Sequence, residues 1–403
     1  MTEGGKQKVV VIGHGYTSRL GVIRALGRAG YEVIVIVMVV NKKRGKPDFT
    51  PPIDSYSKFA SKVYYCMPDA EQLITLLLDK CTDKDRKVVL FPDSDVSAAA
   101  IDLNQKRLEN DFLFPHIDHT PGAAVEWMSK IRQKQGAEKV GLNVAGGEVI
   151  EIVDGAYEIP STICYPCFSK PLESIAGAKT GVGRCDNELQ LRAALDKIIK
   201  RSPTISVLVE EYKEIEEEYA LLGISDGANV HIPGILHVLS LAQGGHYGVA
   251  KQGEILPNEG YESLIDGFKS FVKETRFVGL FDIDFYKSEG RFYFCEINFR
   301  YGGSGYAYTK SGVNLPAMCV RVLNGERVES GALVTKKAKY VNERMCLDDW
   351  YNGFISTQTF SRLLQDCDIS FIKDPEDSEP QRMFKKMIHG MCVRRIIKRC
   401  VGR

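Results

Sequence analysis

The sequence predicts an α/β fold in several units. Three observations carry that expectation. A strand–glycine turn–helix–strand series fills residues 8 to 40, a buried strand at residues 87 to 91 ends in a polar cluster, and a hairpin pattern spans residues 279 to 300. At 403 residues the chain is long enough for two or three domains, each with its own core.

Lys8-Val9-Val10-Val11-Ile12 reads as a strand, Gly13-His14-Gly15 as a tight turn, the amphipathic stretch to Ala29-Gly30 as a helix, and Tyr31 to Val40 as the next strand. This βαβ unit is no dinucleotide fingerprint. The third glycine position holds Ser18, and no ribose-binding acid closes the second strand, so an NAD-dependent oxidoreductase is disfavoured. Gly15 instead belongs to a turn able to hold a small anionic substrate at a helix N-terminus. A helix follows from Asp69 to Cys81, and then the buried strand Lys87-Val88-Val89-Leu90-Phe91, ending in Pro92-Asp93-Ser94-Asp95. Polar residues at the carboxyl end of a parallel strand lie where open α/β sheets bind ligands, so Asp93 or Asp95 reads as a substrate contact or, equally, as a helix N-cap.

Pro115 to Pro121 marks a boundary. Beyond it, a smaller α+β region has a helix through Lys130, a strand near Val149 to Val153, a strand ending at Lys170, a glycine-bearing loop, and a helix from Asn187 to Lys200. A further module opens with Ser206-Val207-Leu208-Val209 and continues through Tyr219 to Ile224 into the hairpin. There, Gly279 to Tyr286 and Phe292 to Arg300 flank the turn residues Lys287 to Gly290. Asp282 and Asp284 share one strand face, and Glu296, Asn298 and Arg300 share another. Closing the hairpin gathers them over a patch about 10 Å across. Few carboxylates beside a guanidinium suit Mg²⁺ and phosphate oxygens.

Net charge of +1 gives no general attraction to nucleic acid. Eleven cysteines at irregular spacing fit a reducing compartment, and Cys164-Tyr165-Pro166-Cys167 lacks the second pair a zinc site needs. The longest aliphatic run, Val33 to Val40, is too short to cross a bilayer, and the N-terminus does not read as a secretion signal. The expected location is the cytoplasm.

Taken in order, Lys130, the strand ending at Lys170, the loop Ser174 to Gly183, Glu210-Glu211-Tyr212, Glu218 and the hairpin resemble the ATP-grasp superfamily over about residues 120 to 310. The twelve-residue step from Asp284 to Glu296 and the Glu-x-Asn-x-Arg pattern of Glu296, Asn298 and Arg300 are its most specific parts. The resemblance implies a Rossmann-like (pre-ATP-grasp) acceptor-binding domain at 1–120 and a two-part α+β ATP-grasp module, with small lobe 121–205 and large lobe 206–330. ATP lies between the lobes, and 331–403 forms a helical extension. It further implies that Lys130 and Lys170 contact ATP phosphates, Lys179 belongs to the ATP-binding set, Glu210 and Tyr212 form the adenine hinge, and Glu218, or its neighbour Glu217, holds the ribose. Asp284, Glu296 and Asn298 would bind Mg²⁺ (or Mn²⁺), with two ions expected, and Arg300 would stabilise an acyl phosphate. Asp95 and the backbone at Gly303 join Gly15 as expected substrate contacts. Shorter motifs, Leu20 to Gly30, Ser57-Lys58-Phe59 and Phe91 to Asp95, resemble D-aspartate ligases and related cell-envelope enzymes.

The implied activity is ADP-forming ligation of a carboxylate to an amine, both small molecules. ATP-grasp carboxylation, phosphotransfer, or nucleotide binding without turnover are the alternatives. The last stretch, Arg382 to Arg403, reads as a basic amphipathic helix, expected to pack within the protein and compatible with peripheral contact at the inner membrane face. A homodimer is compatible with the sequence.

Overall fold

The computed structural model describes residues 6–13, 17–41, 46–47, 51–172, 181–243, 248–328 and 331–401. Its N-terminal sheet is wholly parallel, with spatial order Ala60–Cys66, Glu32–Met38, Lys8–Gly13, Val88–Pro92, Phe112–Leu113. Strands buried on both faces should be continuously apolar, and Val9 to Ile12, Val33 to Met38 and Val88 to Phe91 are all buried. Helix Ala70–Lys80 is capped by Asp69, whose side chain accepts from the Gln72 N–H. The strand order reverses between Lys8–Gly13 and Val88–Pro92, which makes a ligand-binding crevice at their carboxyl ends.

A four-stranded antiparallel sheet follows, ordered Gly183–Cys185, Cys167–Pro171, Ile205–Glu211, Gly147–Ile152. Leu191, Leu195 and Ile198 of helix Glu188–Ile199 pack on it. Cys167 is one of its buried residues, whereas Cys164 is exposed, and both are free thiols.

The largest sheet has nine strands, running from Arg291–Asn298 through Phe277–Ser288, Glu217–Asp226, Ile235–Leu241 and Ala250–Leu256 to Ala338–Val341 and Ile369–Ser370. His116–Ile117, inside the sequence-predicted boundary, pairs with its Phe277–Val278 end. Strand Phe277–Ser288 obeys period two. Phe281, Ile283 and Phe285 face Ile265, Phe268, Phe271 and Val272 of helix Glu262–Thr275, and each such buried side chain stabilises by about 1.5–3 kcal/mol. Asp282 and Asp284 therefore take the opposite face. The hairpin turn narrows to Glu289-Gly290, both with positive φ, the two-residue turn that suits the twist of the flanking strands.

The second hairpin strand does not keep strict alternation. Phe292 and Phe294 face the helix, and so do Ile297 and Phe299. The change of parity falls at a bulge: Asp284 pairs with Glu296 and Phe285 with Phe294, leaving Cys295 as the extra residue. The bulge turns Glu296, Asn298 and Arg300 to the face that Asp282 and Asp284 occupy.

One core joins the N-terminal sheet to the nine-stranded sheet, with Val9, Val11 and Val33 in the same cluster as Leu222, Ile224, Leu236 and Tyr340. Residues 331–403, expected as a helical extension, also supply two strands to the large sheet. In the long helix Glu379–Val401, Phe384, Met387, Ile388 and Met391 pack with Ile53, Trp350 and Phe360. Among the described residues, no helix is long and apolar enough to cross a membrane.

Candidate active site

A cleft of about 620 Å³ opens where the three sheets meet, within the range that holds a nucleotide-sized ligand. The structure brings Lys130, Lys170, Glu218, Asp284, Glu296, Asn298, Arg300, Asp95 and Gly303 together on its walls. Gly15 and Lys179 lie outside the described residues, as does most of the loop Ser174 to Gly183.

Each side chain is held by a local device. Lys130 opens helix Lys130–Lys139, with its Nζ 3.9 Å from Glu296 Oε2. Lys170, near the end of its strand, lies 2.6 Å from Glu210 Oε2, and Lys134 lies 2.6 Å from Glu210 Oε1. Burial pushes the Glu210 carboxyl up, but Lys170 and Lys134 together outweigh it and hold it below its ordinary value. Glu210 itself does not line the cleft. The adenine role inferred for it would use its backbone, while its side chain fixes two cations. Tyr212 is also off the cleft wall, its ring under the Arg184 guanidinium at 4.4 Å. Sequence reasoning did not single out Lys134, although its i,i+4 spacing from Lys130 puts both on one helix face.

On the metal side the carboxylates crowd. Asp284 and Glu296 are cross-strand partners, and so are Asp282 and Asn298. Burial first, then the like charges of Asp282 and Glu296, push the Asp284 carboxyl well above its ordinary value. Asp282 is pushed up to about 7, again chiefly by burial, although Arg300 pulls it down. Arg300 is the nearby cation, with Nε 2.8 Å from Asp95 Oδ1 and Nη1 3.7 Å from Asp282 Oδ2. Gly302 makes room for this arrangement, since a Cβ there would meet the Asp282 carboxylate at 2.5 Å. Burial also raises the Glu218 carboxyl.

Among the described residues, no three His, Cys, Asp or Glu side chains form a self-sufficient metal cage. The donor set Asp284, Glu296 and Asn298 instead fits Mg²⁺, which binds through one or two carboxylates and completes its shell with phosphate oxygens and water. Apposed half-buried carboxylates, of which Glu296 has Lys130 at 3.9 Å, repel one another, and such a cation relieves that repulsion.

The helix-cap reading of the acidic cluster is corrected. Ser94 caps helix Asp95–Leu103 through a reciprocal bond with Ser97, because its short hydroxyl reaches the N–H three residues on. Asp95 is thereby left to hold Arg300. Asp93 is buried in the cleft wall, and its Oδ2 accepts from the Ser18 hydroxyl at 3.3 Å.

Two lobes of largely antiparallel sheet lining one cleft, with paired lysines beside a carboxylate hairpin, define an ATP-grasp architecture. The sequence model of the carbamoyl-phosphate synthase L chain ATP-binding domain matches residues 129–330, about half of the chain. The chain belongs to that family. The carbamoyl phosphate synthase large chain of Thermotoga petrophila is 29% identical over 210 residues, 51% of this chain but only 18% of that relative's length. The chain therefore spans less than a fifth of that relative. The formate-dependent phosphoribosylglycinamide formyltransferase of Bacillus subtilis is 26% identical over 294 residues, 70% of this chain and 71% of its own. Among solved structures, the biotin carboxylase domain of Hydrogenobacter thermophilus 2-oxoglutarate carboxylase, in complex with MgADP, has a TM-score of 0.63 at 20% identity. It covers 83% of this chain and 74% of that one.

Proposed function

We propose that this protein is an ATP-dependent, ADP-forming carboxylate–amine ligase. The observation that carries the reading is the cross-strand pair Asp284–Glu296, with Asn298 and Arg300 on the same face, lining one cleft with Lys130 and Lys170, Lys130 lying 3.9 Å from Glu296. Asp284, Glu296 and Asn298 would hold Mg²⁺, with two ions expected; when bound, it neutralises phosphate oxygens during transfer. Lys130 and Lys170 neutralise and orient the phosphates of ATP. The carboxylate of the acceptor attacks the γ-phosphorus, releasing ADP and leaving an acyl phosphate. Arg300, braced by Asp95 and Asp282, stabilises the oxyanion that forms when an amine attacks the acyl carbon. Glu218, which lines the cleft and whose ionisation burial disfavours, would accept hydrogen bonds from the ribose. The formate-dependent relative supports a carboxylate as the activated group. The short N-terminal motifs extend the proposal to an amino-acid amine and a role in cell-envelope synthesis, carried out in the cytoplasm. The exposed Lys385, Lys386 and Arg394 of the last helix add a peripheral contact with anionic membranes to the same proposal. Equal vesicle flotation with and without residues 379–403 would remove that contact.

A screen of ADP release with ATP and Mg²⁺, over carboxylates and amines singly and in pairs, tests the reaction. ADP release that needs both partners, with stoichiometric amide, is expected. Bicarbonate or a hydroxyl acceptor supporting full turnover with no amine would establish carboxylation or phosphotransfer instead.

A further inference from the structure

Asp93 stands apart from every other carboxylate in the cleft. It follows the strand Val88–Pro92 at the point where the parallel strand order reverses, and its N–H donates to the Ile12 carbonyl of the neighbouring strand at 2.7 Å. Its side chain is 8% exposed and lines the cleft. One oxygen takes the Ser18 hydroxyl, while Oδ1 is buried with no hydrogen-bond partner. A buried acceptor without a donor costs on the order of 1–3 kcal/mol, a cost that an ammonium reached by rotation of the Asp93 side chain toward the cleft would relieve. Gly13 permits the approach, since a Cβ there would meet the Asp93 Cβ at 3.0 Å.

The surrounding charges say which ligand. From helix Thr17–Arg28 come Ser18 and Arg19, and Arg19 is committed to Asp54 of the short helix Ile53–Tyr56 and to the Gly13 carbonyl. Asp95 of the next helix and Asp282 of the hairpin share Arg300. Each nearby cation is thus engaged by a carboxylate other than Asp93. Burial pushes Asp93 up to about 7, against the pull of Arg19, Ser18 and Arg300. A substrate carboxylate at this end would meet Asp93, Asp95 and Asp282 together, whereas an ammonium would meet the acceptor it needs.

We propose that Asp93 binds the amine substrate as its ammonium and is the base that takes its first proton. The inference rests on the ligase reading. In the step, R′NH₃⁺ gives one proton to the Asp93 carboxylate. The freed nitrogen lone pair attacks the acyl carbon, the C–N bond forms, and the C–O bond to phosphate breaks with its electron pair going to the phosphate. The second nitrogen proton passes to that departing phosphate, leaving the amide and hydrogen phosphate.

Hydroxylamine separates this claim from the ligase reading, because it is largely uncharged at neutral pH and attacks acyl phosphates without a base. With saturating ATP and carboxylate, Asp93→Asn should form hydroxamate within about threefold of the wild type. Its kcat/KM for the amine should fall about 100-fold or more. In the wild type kcat/KM should level off above about pH 7 as Asp93 ionises, whereas in the variant, left with the free-amine fraction alone, it should keep rising with pH. An unchanged kcat/KM for the amine, or hydroxamate falling in parallel with it, would overturn the role of Asp93. A wild type that makes no carboxylate-dependent hydroxamate would overturn the ligase reading, and this inference with it.

Discussion

Two groups of buried carboxylates in this chain have opposite electrostatics. Asp374 and Asp377 sit behind the N-terminal sheet and are saturated with donors. Arg24, wholly buried, donates to Asp377 and to the carbonyls of Phe371, Ile372 and Asp377, and the Ser57 hydroxyl adds a further bond to Asp377. Arg28, Tyr306 and Lys310 converge on Asp374. Although burial opposes its charge, these partners hold its carboxyl down at about 2. In the cleft, Asp93 and Asp282 rise to about 7, and Asp284 is likewise pushed well above its ordinary value. The same residue type clamps the C-terminal segment onto the first helix in one place and waits for cationic partners in the other. Where the fold uses a carboxylate to hold itself together, it supplies arginine. At Asp93 and Asp284, which the proposed reaction would use, no ion pair of this kind forms among the described residues.

Breaking either side of this contrast should produce different symptoms. Glu296→Ala should lose about 10³-fold in turnover, roughly 4 kcal/mol of transition-state stabilisation, with no fall in melting temperature. A parallel loss of stability would mean that the hairpin acids are structural. Arg24→Ala should do the reverse, costing about 3–5 kcal/mol of unfolding free energy in urea, because Asp377 is left buried without its cation. Activity per folded molecule should survive.

The contrast sharpens with pH. The Asp93 carboxyl lies above its unfolded value, so between about pH 4 and 7 the folded state binds more protons and the protein loses stability as pH rises. Asp93→Asn removes that loss. The variant should be about 1–3 kcal/mol more stable than the wild type at pH 8, and the gain should shrink toward pH 4. A variant less stable at pH 8 would show that the ionised carboxylate has a structural partner. Smallest of the four, Glu210→Gln should raise KM for ATP about tenfold, near 1.4 kcal/mol, with kcat little changed. Its side chain positions Lys170 and Lys134 without lining the cleft. A collapse of kcat would give Glu210 a more direct part.

Much of this was legible in the sequence, because it depends on local pattern. The βαβ start, the helix after Asp69 and the hairpin all follow from periodicity and capping residues. The hairpin acids could be placed on shared faces by counting in twos. What counting missed was the bulge at Cys295, although its trace is there: phenylalanines at 292 and 294, then apolar residues at 297 and 299. Lys134 and Asp93 were harder. The first finds Glu210 across 76 positions, and the second depends on an absent partner, which no linear pattern records. The strands contributed by residues 338–341 and 369–370 were missed because each is too short to show a period.

The central claim is that the hairpin carboxylates hold a divalent cation against the phosphates of a nucleotide. Mn²⁺ binding followed by electron paramagnetic resonance, with and without ADP, in the wild type and in Glu296→Gln, tests it most directly. The account predicts binding that ADP strengthens in the wild type and that weakens at least tenfold in the variant. Equal Mn²⁺ affinity in both proteins, indifferent to ADP, would contradict it.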